Sequence, residues 1–211
     1  MKLYYEKGVK TEKDIEEIHL LDSITYSDKY LISVEDYKKR LQKNSDIIYV
    51  VRNSRNNIVG YFSVIPITLE AYEKIKAGGI DKDIINPSNI ISKDEVWEYI
   101  YWDSIIVDPK YRKFKVGKKL VNFGFSDLLK SRQEIKKIIA HTVSKGGEKL
   151  TSMYGLILKK KLDGKSLIVE RVFRNRRYNK KGHYSDKNKK AIEKKISRVV
   201  VDQNEEMLRD M

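Results

Sequence analysis

The chain has 211 residues, 40% of them hydrophobic and 35% charged, which suits one globular domain with at most a modest extension. It contains no cysteine, and this excludes disulfides, thiolate nucleophiles, iron–sulfur clusters and every Cys-based zinc site. The net charge of +14 is lopsided: residues 1–100 hold 15 Lys/Arg against 17 Asp/Glu, and residues 101–211 hold 29 against 13, so an anion is expected to meet the second half.

The elements follow in order. Leu3–Tyr5 reads as a short strand. Thr11 with Asp14 three residues on is an N-cap signal, and Ile15, Ile18 and Leu21 share one face of the helix that follows. Ser33 and Asp36 open a second helix with Tyr37 and Leu41 inward. Asp46–Val51 and Ile58–Ile65 predict two strands joined by a polar turn. Thr68 caps a helix that runs through Lys76 and stops at Gly78-Gly79. Residues 80–95 read as a loop, and Val96–Val107 is the longest β-rich run, with Trp97, Tyr99, Tyr101, Asp103, Ile105 and Val107 expected on one face. Val116–Leu129 has helical spacing, Lys137–Val143 is a strand, and another helix reaches about Tyr154. Leu156–Leu162 and Lys165–Phe173 form a hairpin about Asp163-Gly164. The order predicts an α/β fold, more closely α+β with a mixed sheet, over residues 1–173.

No metal site is expected, because His19, His141 and His183 are scattered without metal-binding spacing. No apolar run reaches the ~18 residues of a membrane span, and the first residues have no signal-like core, so a cytoplasmic protein with no membrane partner is expected.

The chemistry concentrates in Ile105-Ile-Val-Asp-Pro-Lys-Tyr-Arg-Lys-Phe-Lys-Val-Gly-Lys-Lys-Leu120. A strand ends at Val107, Asp108-Pro109 turns the chain, and a helix starts near Val116, so free backbone N–H groups gather at a helix N-terminus. Gly117 lets a ligand approach the backbone, and Arg112, Lys113, Lys115, Lys118 and Lys119 ring the opening with positive charge. This is a pyrophosphate cradle, although neither a Walker loop nor a G-x-G-x-x-G fingerprint.

Val107-Asp-Pro-Lys-Tyr-Arg112-Lys-Phe-Lys115-Val-Gly117 resembles the acetyl-CoA motif of the GNAT N-acetyltransferase superfamily. That family runs V-x-P-x-Y-R into [Q/R]-x-x-G-x-[G/A], and this chain departs from it by placing Lys115 at the first glycine. The resemblance implies a GNAT-like acyl-CoA N-acyltransferase fold with acetyl-CoA as co-substrate. The edge at Ile105, Ile106 and Val107 would take the pantetheine. The backbone of Arg112, Lys113, Phe114, Lys115, Val116, Gly117 and Lys118 would take the pyrophosphate. It also implies a tyrosine acid in the next helix. At the family's spacing the residue is Thr151, so the neighbouring Tyr154 is the candidate.

Acyl transfer to an amine needs a base, and Asp103 qualifies as an acid inside an apolar and aromatic strand beside the expected thioester. Glu98 has the opposite parity, and His141 reads as a core histidine. With no cysteine, direct transfer in a ternary complex is expected. The amine acceptor is unidentified: a metabolite, an antibiotic, a protein amine or aminoacyl-tRNA would each fit. Residues 22–34 and 68–95 are the segments expected to select it.

Residues 174–211 form a basic C-terminal extension, with a helix expected from about residue 186 whose apolar face would dock on the domain or on a second copy in a homodimer. Residues 174–181 interleave basic and aromatic residues, a surface for nucleic acid. The competing expectation is therefore a non-catalytic GNAT-like module that binds RNA or another polyanion through its basic half.

Overall fold

Side-chain caps set the first half of the fold. In the computed structural model, which describes residues 2–28, 30–79, 82–162 and 166–173, strand β1 (Leu3–Lys7) leads into α1 (Glu12–Ser23) and α2 (Val34–Lys43). Thr11 accepts from the Asp14 N–H while the Asp14 carboxylate accepts from the Thr11 N–H, a reciprocal capping box that starts α1. The Ser33 hydroxyl accepts from the Asp36 N–H and caps α2 by that bond, without the reciprocal one. Helix α1 buries Ile15, Ile18 and Leu21 as expected, and it also buries the acids Asp14 and Asp22.

Strands β2 (Ile48–Asn53) and β3 (Ile58–Ile67) form an antiparallel hairpin, and every residue of β3 is buried. Thr68 caps α3 (Leu69–Ala77), which ends at Gly78 with φ 98, a left-handed conformation that favours glycine. The expected loop over 80–95 carries two 3-10 turns, Lys82–Ile85 and Pro87–Asn89, and plugs Ile84, Ile85 and Ile90 into the core.

The second half runs β4 (Tyr99–Val107), a 3-10 turn (Pro109–Phe114), α4 (Val116–Ser131), β5 (Lys137–Thr142), α5 (Lys145–Met153), β6 (Ile157–Lys161) and β7 (Leu167–Val172). The sheet has the order β1-β2-β3-β4-β5-β7-β6, with β4 and β5 parallel and the other pairs antiparallel. The expected α+β architecture with a mixed sheet is what folds. The hairpin turn at Asp163-Gly164 lies outside the described residues, as do the extension from residue 174, its helix and the basic stretch 174–181.

Apolar residues cover both sides of the sheet. Ile18, Tyr37, Ile65 and Tyr72 belong to one core, with α1, α2 and α3; Phe62, Leu120, Phe125 and Ile138 belong to the other, with α4. Gly124 lets α4 lie close on the strands, because a Cβ there would come within 2.6 Å of the Phe62 ring.

The expected face of β4 needs correction. Ser63 pairs with Ser104 but Val64 pairs with Trp102, so Asp103 is the extra residue of a β-bulge. Before the bulge Tyr99 and Tyr101 face the α1–α3 side and Trp102 faces α4. Beyond it Ile106 takes the α1–α3 side and Ile105 and Val107 take the other. One inserted residue reverses the alternation, so the odd positions do not share a face. Trp97 precedes the strand and packs on the α4 side.

Candidate active site at the parting of two strands

Strand β4 is hydrogen-bonded to β5 only over Tyr99–Trp102, opposite Lys137–Ala140. From Asp103 to Val107 it keeps β3 on one side and pairs with no described strand on the other. Its backbone there is an open edge, able to accept an extended ligand as a further strand. Ile105, Ile106 and Val107 lie along it.

The chain then turns through Asp108, whose carboxylate accepts from the Lys110 N–H, and Pro109 opens the 3-10 turn. The Arg112 Nε donates to the Val107 carbonyl at 2.8 Å, so this side chain braces the loop against the strand end. Lys115 has φ 58 and ψ 22, the left-handed conformation that glycine adopts most easily. The position where the family carries glycine thus has a glycine-like backbone despite its lysine. It points the next residues straight into α4.

Helix α4 starts without a side-chain cap, whereas Thr11, Ser33, Thr68 and Ser144 cap α1, α2, α3 and α5. Its first intrahelical bond comes from the Lys119 N–H to the Lys115 carbonyl, which leaves the N–H groups of Val116, Gly117 and Lys118 for another acceptor. Phe114, Lys113, Lys115 and Lys118 are exposed, and no acid pairs with these lysines among the described residues. A Cβ on Gly117 would meet only the Val107 Cγ2, at 3.5 Å, an ordinary contact. The fold itself does not require glycine there. An open strand edge, an uncapped helix N-terminus and unpaired cations fit an extended thioester carrier ending in a pyrophosphate.

On the α1–α2 side, a pocket with about 90 Å³ of free space opens between the parting strands. Asp103 and Ser104 of β4, and His141 and Val143 at the end of β5, form part of its wall. Asp22, Tyr26, Tyr30 and Ile32 supply another part, so of the two segments expected to select an acceptor, 22–34 contributes to this pocket and the described residues of 68–95 do not.

The polar groups form a network. Tyr37 donates to Asp22 Oδ2 at 2.6 Å, and Tyr61 donates to Asp22 Oδ1. The Ser104 Oγ lies 2.7 Å from the Tyr26 hydroxyl and 3.2 Å from that of Tyr61. Burial pushes the Asp22 carboxyl up to about 6, against the pull of the two tyrosine hydrogen bonds. Burial likewise raises Asp103, opposed by the Arg40 charge and the Ser63 hydroxyl. Its Oδ2 is shielded from solvent and has no hydrogen-bond partner. An acid with a raised pKa and a free oxygen can take a proton from an amine.

Tyr154 lies on the other side of the sheet. Its ring stacks on Phe125 and meets Trp102 edge-on, its hydroxyl donates to Asn122 Oδ1 at 2.5 Å, and burial keeps its proton on well beyond the usual tyrosine range. His141, read as a core histidine, instead reaches the pocket, where it contacts the Ser166 hydroxyl and the Tyr30 ring. Asp22 stands outside the motifs that the sequence offers. The signal was present, because Ile15, Ile18 and Asp22 follow helical spacing and place an acid on an apolar face.

The sequence matches the family described as "Acetyltransferase (GNAT) family" over residues 13–155. No curated protein matches it. Among solved structures, the loading GNATL domain of CurA from Lyngbya majuscula superposes with a TM-score of 0.65 at 12% identity, covering 82% of this chain and 98% of that one. An acetyltransferase of the GNAT family from Staphylococcus aureus MU50 gives 0.53 at 17% identity, covering 81% and 99%. Arabidopsis thaliana Naa50, in complex with the bisubstrate analogue CoA-Ac-MVNAL, gives 0.54 at 11% identity, covering 82% and 100%. With the matched residues spanning most of the chain, this protein belongs to the GNAT family of acyl-CoA-dependent acyltransferases.

Proposed function

We propose that the protein transfers an acetyl group from acetyl-CoA to a primary amine by direct attack in a ternary complex. The observation that carries this reading is the unpaired edge of β4 beyond Trp102, leading within one chain segment to the uncapped start of α4. The backbone of Ile105–Val107 would hold the pantetheine, and the N–H groups of Val116, Gly117 and Lys118 the pyrophosphate. Lys113 and Lys115 add positive charge beside it. Acetyl-CoA supplies the activated carbonyl that the amine attacks.

The chain's own residues manage the protons. Asp103, at the bulge where the strands part, takes one from the incoming ammonium through its unpartnered Oδ2. Tyr154, on the opposite side, would pass its hydroxyl proton from Asn122 Oδ1 to the departing thiolate of CoA. A buried acid in the wall of this pocket favours an enzyme over a polyanion-binding module, which has no use for it. Incubating the protein with acetyl-CoA and a panel of primary amines, and following free thiol release, tests the proposal. Acetylated amine is expected; hydrolysis alone, or no reaction with bound acetyl-CoA, would refute it.

A further inference from the structure

Two carboxylates in one small aromatic pocket call for a specific occupant. Each oxygen of Asp22 accepts one hydroxyl proton, from Tyr37 and from Tyr61, which holds the carboxylate in place as a fixed charge. Asp103 is its complement, because its Oδ2 is buried and accepts nothing. Such an atom is costly to leave unpaired, and a donor from a ligand would relieve it.

The charges around the pocket can be balanced. Asp22 and Asp103 are opposed by one buried guanidinium, Arg40 of α2, which acts on Asp103 through space and does not line the pocket. His19 stands near Asp22, and His141 forms part of the wall. Two carboxylates against one guanidinium leave the ionised site with one negative charge in excess. Tyr26, Tyr30 and Tyr101 add aromatic walls, a setting that attracts an ammonium group. The free space of about 90 Å³ compares with roughly 10–15 Å³ for one water, which leaves room for a short chain of several heavy atoms. The protons of Tyr37 and Tyr61 are directed at Asp22, and the Tyr26 and Ser104 hydroxyls are paired with each other, so the wall holds few donors for the carbonyl beside a peptide's α-amine.

Building on the acetyltransfer reading, we infer that this pocket selects an unbranched aminoalkyl ammonium group, as in a free diamine or a lysine side chain, over the α-amine of a peptide. The ammonium sits between Asp22 and Asp103, gives its N–H to Asp103 Oδ2, and extends its alkyl stem along the tyrosine walls.

Calorimetry on the full chain tests this without requiring turnover. The probes are putrescine, Nα-acetyl-lysine methylamide and a lysine-free peptide with a free N-terminal alanine. Either of the first two is expected to bind at least about tenfold more tightly than the peptide, and the better of the two identifies a free amine or a side chain as the source. Asp22→Asn is expected to weaken that binding about tenfold while leaving the melting shift caused by acetyl-CoA unchanged. Tighter binding of the peptide, or equal amine affinity in a folded Asp22→Asn, overturns the inference. If that variant does not fold, wild-type titrations at pH 6 in two buffers of different ionisation enthalpy decide. An ammonium beside Asp22 should release protons to the buffer, and binding without release overturns the inference. Failure of the acetyltransfer reading shows up separately, as a missing acetyl-CoA melting shift.

Discussion

Gly117→Val separates a glycine kept for a ligand from one kept for packing. In the free protein the new Cβ meets only the Val107 Cγ2 at 3.5 Å, and Gly117 lies in the first turn of α4 without a left-handed φ. Valine is a slightly better helix former than glycine, so the unliganded variant should melt within a degree or two of wild type. The bound state should differ. Acetyl-CoA at 100 times its dissociation constant stabilises the wild type by about 2.7 kcal/mol, and at roughly 2–4 °C per kcal/mol the melting point rises by about 5–11 °C. If the valine side chain blocks the backbone and weakens binding about a hundredfold, the same ligand concentration adds only about 0.4 kcal/mol, or roughly 1 °C. Thermal melting with and without acetyl-CoA measures both quantities. Lys130→Ala, at the exposed far end of α4, should keep the full shift. A full shift in Gly117→Val would refute the placement of the pyrophosphate at this helix start.

Gly124→Ala should behave in the opposite way, losing about 1–3 kcal/mol of stability with ligand affinity retained, because its Cβ would collide with the Phe62 ring at 2.6 Å; denaturant melts compare the two glycines. Asp103→Asn should lower turnover roughly 10²–10⁴-fold while the acetyl-CoA melting shift persists, and equal turnover would remove Asp103 as the base. Tyr154→Phe keeps the ring contacts with Phe125 and Trp102, so stability should change little; a drop in kcat at constant KM assigns its hydroxyl to catalysis, and an unchanged kcat assigns it to packing. Because Asp22 titrates near 6 in the folded chain against 3.8 for the free side chain, unfolding sheds its proton between those values. Its contribution therefore lowers stability as pH rises from about 4 to 6, by an amount on the order of 3 kcal/mol, and the wild-type stability measured across that window should fall relative to Asp22→Asn.

Local signals in the sequence determined most of the scaffold. Thr11, Ser33 and Thr68 cap helices because a short polar side chain can reach a free N–H within the same turn, and Gly78 ends one because its backbone adopts φ 98 without a Cβ penalty. The strand–turn–helix from Ile105 to Lys118 was legible for the same reason, since all its parts lie within one short stretch. The tertiary structure decided what depends on distant residues. The bulge at Asp103 exists only in the register of β4 against Ser63 and Val64, and it turned an expected single face into two. The parting of β4 from β5 after Trp102 is a property of two strands separated by a helix. Asp22, Tyr37, Tyr61 and Ser104 are far apart in the chain, and only the packing of α1 and α2 on the sheet brings them to hydrogen-bonding distance. Caps and turns are local interactions that a few residues can encode; a pocket needs long-range packing to bury its polar groups and shift their protonation, and no short stretch of sequence carries that information.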